Sequence, residues 1–112
     1  MLIMLIKKKN MTLIKKNMNK NDLLDVTFII PVRISHVDRL SNLEFLINYL
    51  TNNFNTKIII YEADTTIKIT KNILDKVTHM FEYSTDNIFH RTKYLNNMLK
   101  HTTYRVKVPL FF

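Results

Sequence analysis

The sequence predicts an α/β fold built on a parallel sheet, and three observations carry that prediction. Asp25-Val-Thr-Phe-Ile-Ile-Pro-Val-Arg33 is an almost unbroken apolar run that ends on a polar turn. Lys57-Ile-Ile-Ile-Tyr-Glu-Ala-Asp64 is a second such run and ends on two carboxylates. The stretch between them has helical periodicity. Continuously apolar strands suit a sheet covered on both faces, so the pattern is a β-α-β unit with its polar groups at the strand ends, where open α/β sheets bind ligands.

The elements follow in order. Val26–Ile30 reads as the first strand, and Pro31, which has no N–H to give a ladder, is expected to stop it. Arg39–Leu50 reads as a helix because Leu40, Leu43, Leu46, Ile47 and Leu50 form one apolar stripe, with Asp38 as its expected N-cap. Asn52–Asn55 reads as a turn and Ile58–Tyr61 as the second strand. A short helix is expected over Thr70–Val77, where Ile73, Leu74 and Val77 are apolar, then a third strand over Thr78–Tyr83 and a loop over Ser84–Asn87. Phe89–Lys100 reads as a helix with Leu95, Met98 and Leu99 on one face. Tyr104–Val108 begins a fourth strand that Pro109 halts. The predicted order is β-α-β-α-β-α-β, and alternating strands and helices imply parallel pairing with right-handed crossovers.

Composition narrows the function classes. The 112 residues fit at most one domain. There is no cysteine, which removes disulfides and thiolate metal sites. There is no glycine either, against about 7% in an average chain. That excludes a G-x-G-x-x-G dinucleotide fingerprint and a Walker A loop, both of which bring bare backbone against phosphate. The formal charge of +8 is concentrated: residues 1–20 hold six lysines and no acid, whereas the other 92 carry eleven basic and nine acidic groups. The body is therefore nearly balanced, and nucleic acid is not an expected partner. Residues 1–22 read as a basic, low-complexity leader, poorly ordered, in which Met11 and Met18 are rival start points. The same segment, as a basic amphipathic stretch, is a candidate peripheral contact with an anionic membrane surface. No apolar run approaches the roughly 20 residues of a membrane span, and Met1–Ile6 lacks the order and length of a secretory signal. The expected location is cytoplasmic, with at most peripheral membrane contact.

Candidate functional groups cluster at the strand ends. Glu62 and Asp64 follow the second strand, and a spacing of two puts both on one side of an extended chain. A carboxylate there can accept hydrogen bonds from ribose hydroxyls or a base N–H. Arg33 lies just past the first strand, where a guanidinium can stack on a base or pair with phosphate. His90-Arg91 opens the third helix, whose free N–H groups suit a phosphate, and Asn96 is five residues further along. His36, His79, His90 and His101 have no metal spacing and read as structural or exposed. Phe28, Phe45, Phe54 and Phe81 read as core. No catalytic triad or metal-ligand pattern is present.

Four segments in order, Val26-Thr-Phe-Ile-Ile-Pro-Val-Arg33, Asp38-Arg-Leu-Ser-Asn-Leu-Glu-Phe-Leu46, Ile59-Ile-Tyr-Glu-Ala-Asp64 and Phe89-His-Arg-Thr-Lys-Tyr-Leu-Asn96, resemble the N-terminal half of a family 2-type glycosyltransferase of GT-A fold, over roughly 70% of the chain. The resemblance implies the nucleotide-sugar-binding half of a Rossmann-like domain, spanning residues 23–112, in a family that transfers a sugar from a nucleotide-sugar donor to a glycan or lipid acceptor. It implies that Pro31, Val32 and Arg33 lie beside the nucleotide, that Glu62 holds the base or ribose with Asp64 beside it, and that Arg91 and Asn96 belong to the same pocket. It also implies a divalent cation, Mn or Mg, held by an Asp-x-Asp motif after the next strand. Tyr104–Phe112 contains no acid, and no carboxylate side chain follows Asp86. The expectation is a chain truncated near Thr103–Arg105, without a metal site, that binds donor without turning it over. The rival expectation is a catalytically inactive α/β module that pairs with a partner through an open sheet edge.

Overall fold

A computed structural model describes residues 21–100 and 106–110. The basic leader over residues 1–20, His101 and the start of the fourth strand at Tyr104 lie outside the described residues. Four strands and three helices alternate: β1 (Asn21–Val32), α1 (Val37–Asn53), β2 (Phe54–Asp64), α2 (Lys71–Leu74), β3 (Thr78–Tyr83), α3 (Arg91–Leu99) and β4 (Val106–Pro109). The strands form one sheet in the order β3-β2-β1-β4, and every pairing in it is parallel.

The strand order explains the placement of the helices. The steps β1 to β2 and β2 to β3 move one way across the sheet, and the step β3 to β4 returns past both to the far side of β1. Crossovers of one hand then require α1 and α2 on one face and α3 on the other. The packing has that form. Phe28, Ile30, Val32, Ile58 and Ile60 bury against Leu43, Leu46, Ile47, Leu50 and Ile73, while Ile29, Ile59, Tyr61 and Ala63 bury against Tyr94 and Met98. Consecutive residues of β1 and β2 thus serve opposite cores, which is why their sequences are apolar without alternation.

β1 is the pivot of the sheet. Phe28, Ile29 and Ile30 face Ile58, Ile59 and Ile60 of β2 in register, and Val26–Ile29 face Val106–Pro109 of β4. The first strand was expected to stop at Pro31, but it continues to Val32, with Pro31 opposite Tyr61. The reason is the direction of the missing N–H. Ile29 turns its carbonyl to the β4 side, where it accepts from the Leu110 amide at 3.0 Å. With the two-residue period of a strand, Pro31 faces that side too, beyond the last ladder pair, so no hydrogen bond is lost there.

Other boundaries also shift for local reasons. α1 is capped by His36, not Asp38: the His36 backbone is extended and its Nδ1 accepts from the Asp38 amide at 3.2 Å. Asp38 lies inside the first turn, where its charge complements the helix dipole. The expected turn at Asn52–Asn55 is absent. The helix runs to Asn53, whose side-chain amide donates back to the Tyr49 carbonyl at 2.7 Å, and Phe54 opens β2 directly. α2 is a single turn: the Asp75 amide makes a helical bond to Lys71, the Lys76 amide then tightens onto Ile73, and β3 begins at Thr78.

Two aromatic assignments change. Phe28 and Phe54 are buried, but Phe45 is 70% exposed on α1 and Phe81 is 38% exposed on β3. Phe45 falls outside the stripe of Leu43, Leu46, Ile47 and Leu50, and Phe81 sits on an edge strand. The contrast is measurable by urea denaturation. Phe28→Ala is expected to cost about 3–5 kcal/mol through cavity formation, while Phe45→Ala stays within about 0.5 kcal/mol. Equal costs would contradict this packing.

Candidate functional site

The carboxyl end of β1 lies at the switch point of the sheet, where the chain leaves β1 toward one face and α3 is approached on the other. Loops that part in opposite directions open a crevice there. Arg33, the first residue after β1, spans it. Its Nε donates to the Ala63 carbonyl at 2.7 Å, and its Nη1 donates to the Asp86 carbonyl at 2.7 Å. Its guanidinium carbon stands 5.6 Å from the centre of the Phe89 ring, within cation–π range. One side chain therefore ties the end of β1 to the end of β2 and to the loop before α3. Its Nη2 is buried and has no hydrogen-bond partner.

The crevice is an open cleft of about 280 Å³. Pro31, Val32, Arg33, Ser35 and Arg39 line it from the β1–α1 side, and Asn87, Phe89 and Arg91 from the β3–α3 side. Among the described residues that line it, three carry guanidinium groups and none carries a carboxylate. The volume is at the small end for ligand sites, which run from roughly 300 to 1,000 Å³. It has room for part of a nucleotide sugar, such as its diphosphate.

Four of the residues expected at the site, Pro31, Val32, Arg33 and Arg91, meet in this cleft. The other three do not line it. Glu62 is fully buried on the face covered by α1 and α2, because it follows Ile60 by one strand period. Both of its oxygens are occupied: Oε2 accepts from the Lys68 amide at 2.8 Å, and Oε1 lies 2.9 Å from His79 Nε2. Asp64, on the same face, accepts from the Thr65 amide at 2.7 Å and pairs with Lys68 Nζ at 3.1 Å. The two carboxylates fasten the segment after β2, and Ile69 is buried beneath it. Burial pushes the Asp64 carboxyl up, but the Thr65 amide, Lys68 and the Arg33 guanidinium outweigh it and hold the group below its ordinary range.

Asn96 is exposed on α3. Its neighbour Asn97 turns inward and donates to the Tyr61 hydroxyl at 3.1 Å, and that hydroxyl donates to Glu82 Oε1 at 2.8 Å. Lys93 Nζ completes the group, 3.3 Å from Glu82 Oε2. Burial, then the bond to Glu82, raises the Tyr61 phenol above its usual value. His79 and His90 are structural: His79 pairs with Glu62, and His90 Nε2 lies 2.7 Å from Asp86 Oδ2. The His90 contact, joined by the Ile88 amide, holds the Asp86 carboxyl low.

Sequence reasoning missed Ser35, Arg39, Asn87 and Phe89 as cleft residues. A signal for them existed in the topology. A switch-point crevice is walled by the loops after β1 and β3, so polar and cationic residues within a few positions of each strand end were candidates. The divalent cation implied by the resemblance does not fit the described lining of the cleft, which has three cations and no carboxylate ligand. Among the described residues no group of three or more His, Cys, Asp or Glu side chains could hold a metal.

Two measurements check the assignment of the acids. Glu62→Ala strands the Lys68 amide and the His79 ring and is expected to cost about 3 kcal/mol in urea denaturation. A cost below about 0.5 kcal/mol would mean that Glu62 does not fasten the fold. Asp64 titrates lower in the folded chain than in the unfolded one. Its contribution to stability is therefore complete above the ordinary carboxylate range and is lost as pH falls through its depressed folded value. Acid melts of the parent protein should fall more steeply across that window than those of Asp64→Asn, and parallel curves would contradict the pairing.

Comparison with known proteins finds no family model, no curated protein and no solved structure that matches this chain.

Proposed function

We propose that this chain is the nucleotide-sugar-binding unit of a glycosyltransferase of GT-A type. The observation that carries the reading is the cationic cleft at the carboxyl end of β1, at the point where the strand order 3-2-1-4 reverses. Open parallel sheets bind nucleotides at this position for a topological reason: the loops part there and leave backbone and side-chain donors facing one crevice. The resemblance of four ordered sequence segments to family 2-type glycosyltransferases supplies the ligand class. Pro31 and Phe89 offer apolar surface to a base or ribose, and Arg33 and Arg91 offer charge to a diphosphate.

The roles differ from those the resemblance implies at two places: Asn96 is exposed on α3 outside the cleft, and the two carboxylates after β2 do not line it. Glu62 and Asp64 act on the ligand only indirectly, by holding the end of β2 to which Arg33 is bonded. Donor binding is the activity assigned to the described residues. No general base is assigned, because no carboxylate or imidazole is among the described residues lining the cleft.

A second reading has its own observation. β3 is the last strand of the sheet on its side, and Phe81 and Tyr83 are exposed on it, Tyr83 by 68%. Such an edge can pair with another chain, which is the behaviour of an interaction module.

Calorimetric titration of the purified chain with uridine diphosphate separates the two. The expected result is saturable, weak binding near about 1 mM, or about −4 kcal/mol, in a monomer by light scattering. Arg91→Ala is expected to weaken it by about tenfold, with the melting temperature unchanged because Arg91 is exposed. Absence of binding by uridine and guanosine diphosphates, together with obligate self-association, would favour the interaction module.

A further inference from the structure

We infer that the cleft holds its ligand's diphosphate through the guanidinium groups of Arg33, Arg39 and Arg91, in place of a divalent cation. The inference takes the nucleotide as ligand from the function proposed above, but the anion site rests on the cleft alone.

The lining carries the argument. Arg33 and Arg39 reach the cleft from the β1–α1 side and Arg91 from the β3–α3 side, so cations stand on both walls. Asp64 and Asp86 lie in the field of Arg33 and partly offset its charge, but their hydrogen bonds and ion pairs go to other groups: Asp64 to Lys68 and the Thr65 amide, Asp86 to His90 and the Ile88 amide. Three guanidinium groups around one small cleft give it a positive field, which favours an anion there. A divalent cation would be opposed by that field and, among the described lining residues, would find no carboxylate to coordinate.

Guanidinium geometry suits the task. Each presents planar, paired donors that match two oxygens of one phosphate. Arg33 is already fixed, since Nε and Nη1 are held by the Ala63 and Asp86 carbonyls. Its buried Nη2 lacks any partner in the protein. Ser35 and Asn87 add neutral donors on opposite walls. Arg39 is absent from the roles that the sequence resemblance implies, so its part in binding tests the cleft independently of the resemblance.

Calorimetry on the full chain with inorganic pyrophosphate, uridine diphosphate and uridine, each in EDTA and again in excess manganese or magnesium chloride, tests the inference. Pyrophosphate and uridine diphosphate are expected to bind equally well in EDTA and in metal, more weakly as salt rises. Arg39→Ala is expected to weaken both by about tenfold, and Arg39→Lys to recover only part of the loss. Arg39 is exposed, so melting curves of these variants should match the parent, and uridine binding should not respond to either. Binding that appears only with added metal, or that is indifferent to Arg39→Ala, overturns the inference and leaves the nucleotide reading intact. Pyrophosphate binding in EDTA without uridine diphosphate binding keeps the anion site and overturns the nucleotide reading. No binding by either overturns both.

Discussion

The in-register pairing of Phe28-Ile29-Ile30 with Ile58-Ile59-Ile60 is the constraint on which the rest of this protein depends. Because β1 and β2 are buried on both faces, successive side chains must fill two separate cores. One slipped residue would exchange the contents of both. Each buried isoleucine or phenylalanine contributes roughly 1.5–3 kcal/mol. The fixed register then determines where the chain stands when each strand ends.

The site is a consequence of that placement. β1 ends with Val32 opposite Glu62. From there alternate positions turn to opposite sides of the sheet. Glu62 and Asp64 continue the face of Ile58 and Ile60 and are covered by the segment that leads into α2, where they serve as anchors. Arg33 continues the face of Ile29 and bonds the Ala63 carbonyl and the loop before α3. The reversal of strand order at β1 separates the adjoining loops, and the cleft between them collects cations from both. The same two strand ends thus supply rigid support on one side and a cationic cleft on the other. The support matters to the surface, since Arg33 is positioned by carbonyls at the end of β2 and in the segment before α3.

Much of this was legible in the sequence. The two apolar runs identified β1 and β2 because burial on both faces removes polar residues from every position. The stripe from Leu40 to Leu50 identified α1, and β3 begins and ends where the pattern placed it. Glu62 and Asp64 share a face at the end of β2, as their two-residue spacing indicates, but spacing does not show which face, and the one they take is away from the cleft. That depends on the side taken by α1 and α2. His36 was overlooked as a cap because an imidazole is a rare acceptor in that role, and Phe45 was read into a core that its helical phase excludes. Arg39 and Phe89 come together only through the strand order 3-2-1-4, which no local pattern records. The leader and the segment near Thr103, which bear on membrane contact and on the metal motif, lie outside the described residues.

A map of backbone amide shifts tests the division of the two strand ends between binding and support directly. In a titration of the isotope-labelled chain with uridine diphosphate, the largest shifts are expected at Arg33, Ser35, Asn87, Phe89 and Arg91, with Glu62, Lys68 and His79 unmoved. Shifts centred on Glu62 and the Thr65–Lys68 segment, with Arg33 and Arg91 unmoved, would contradict it.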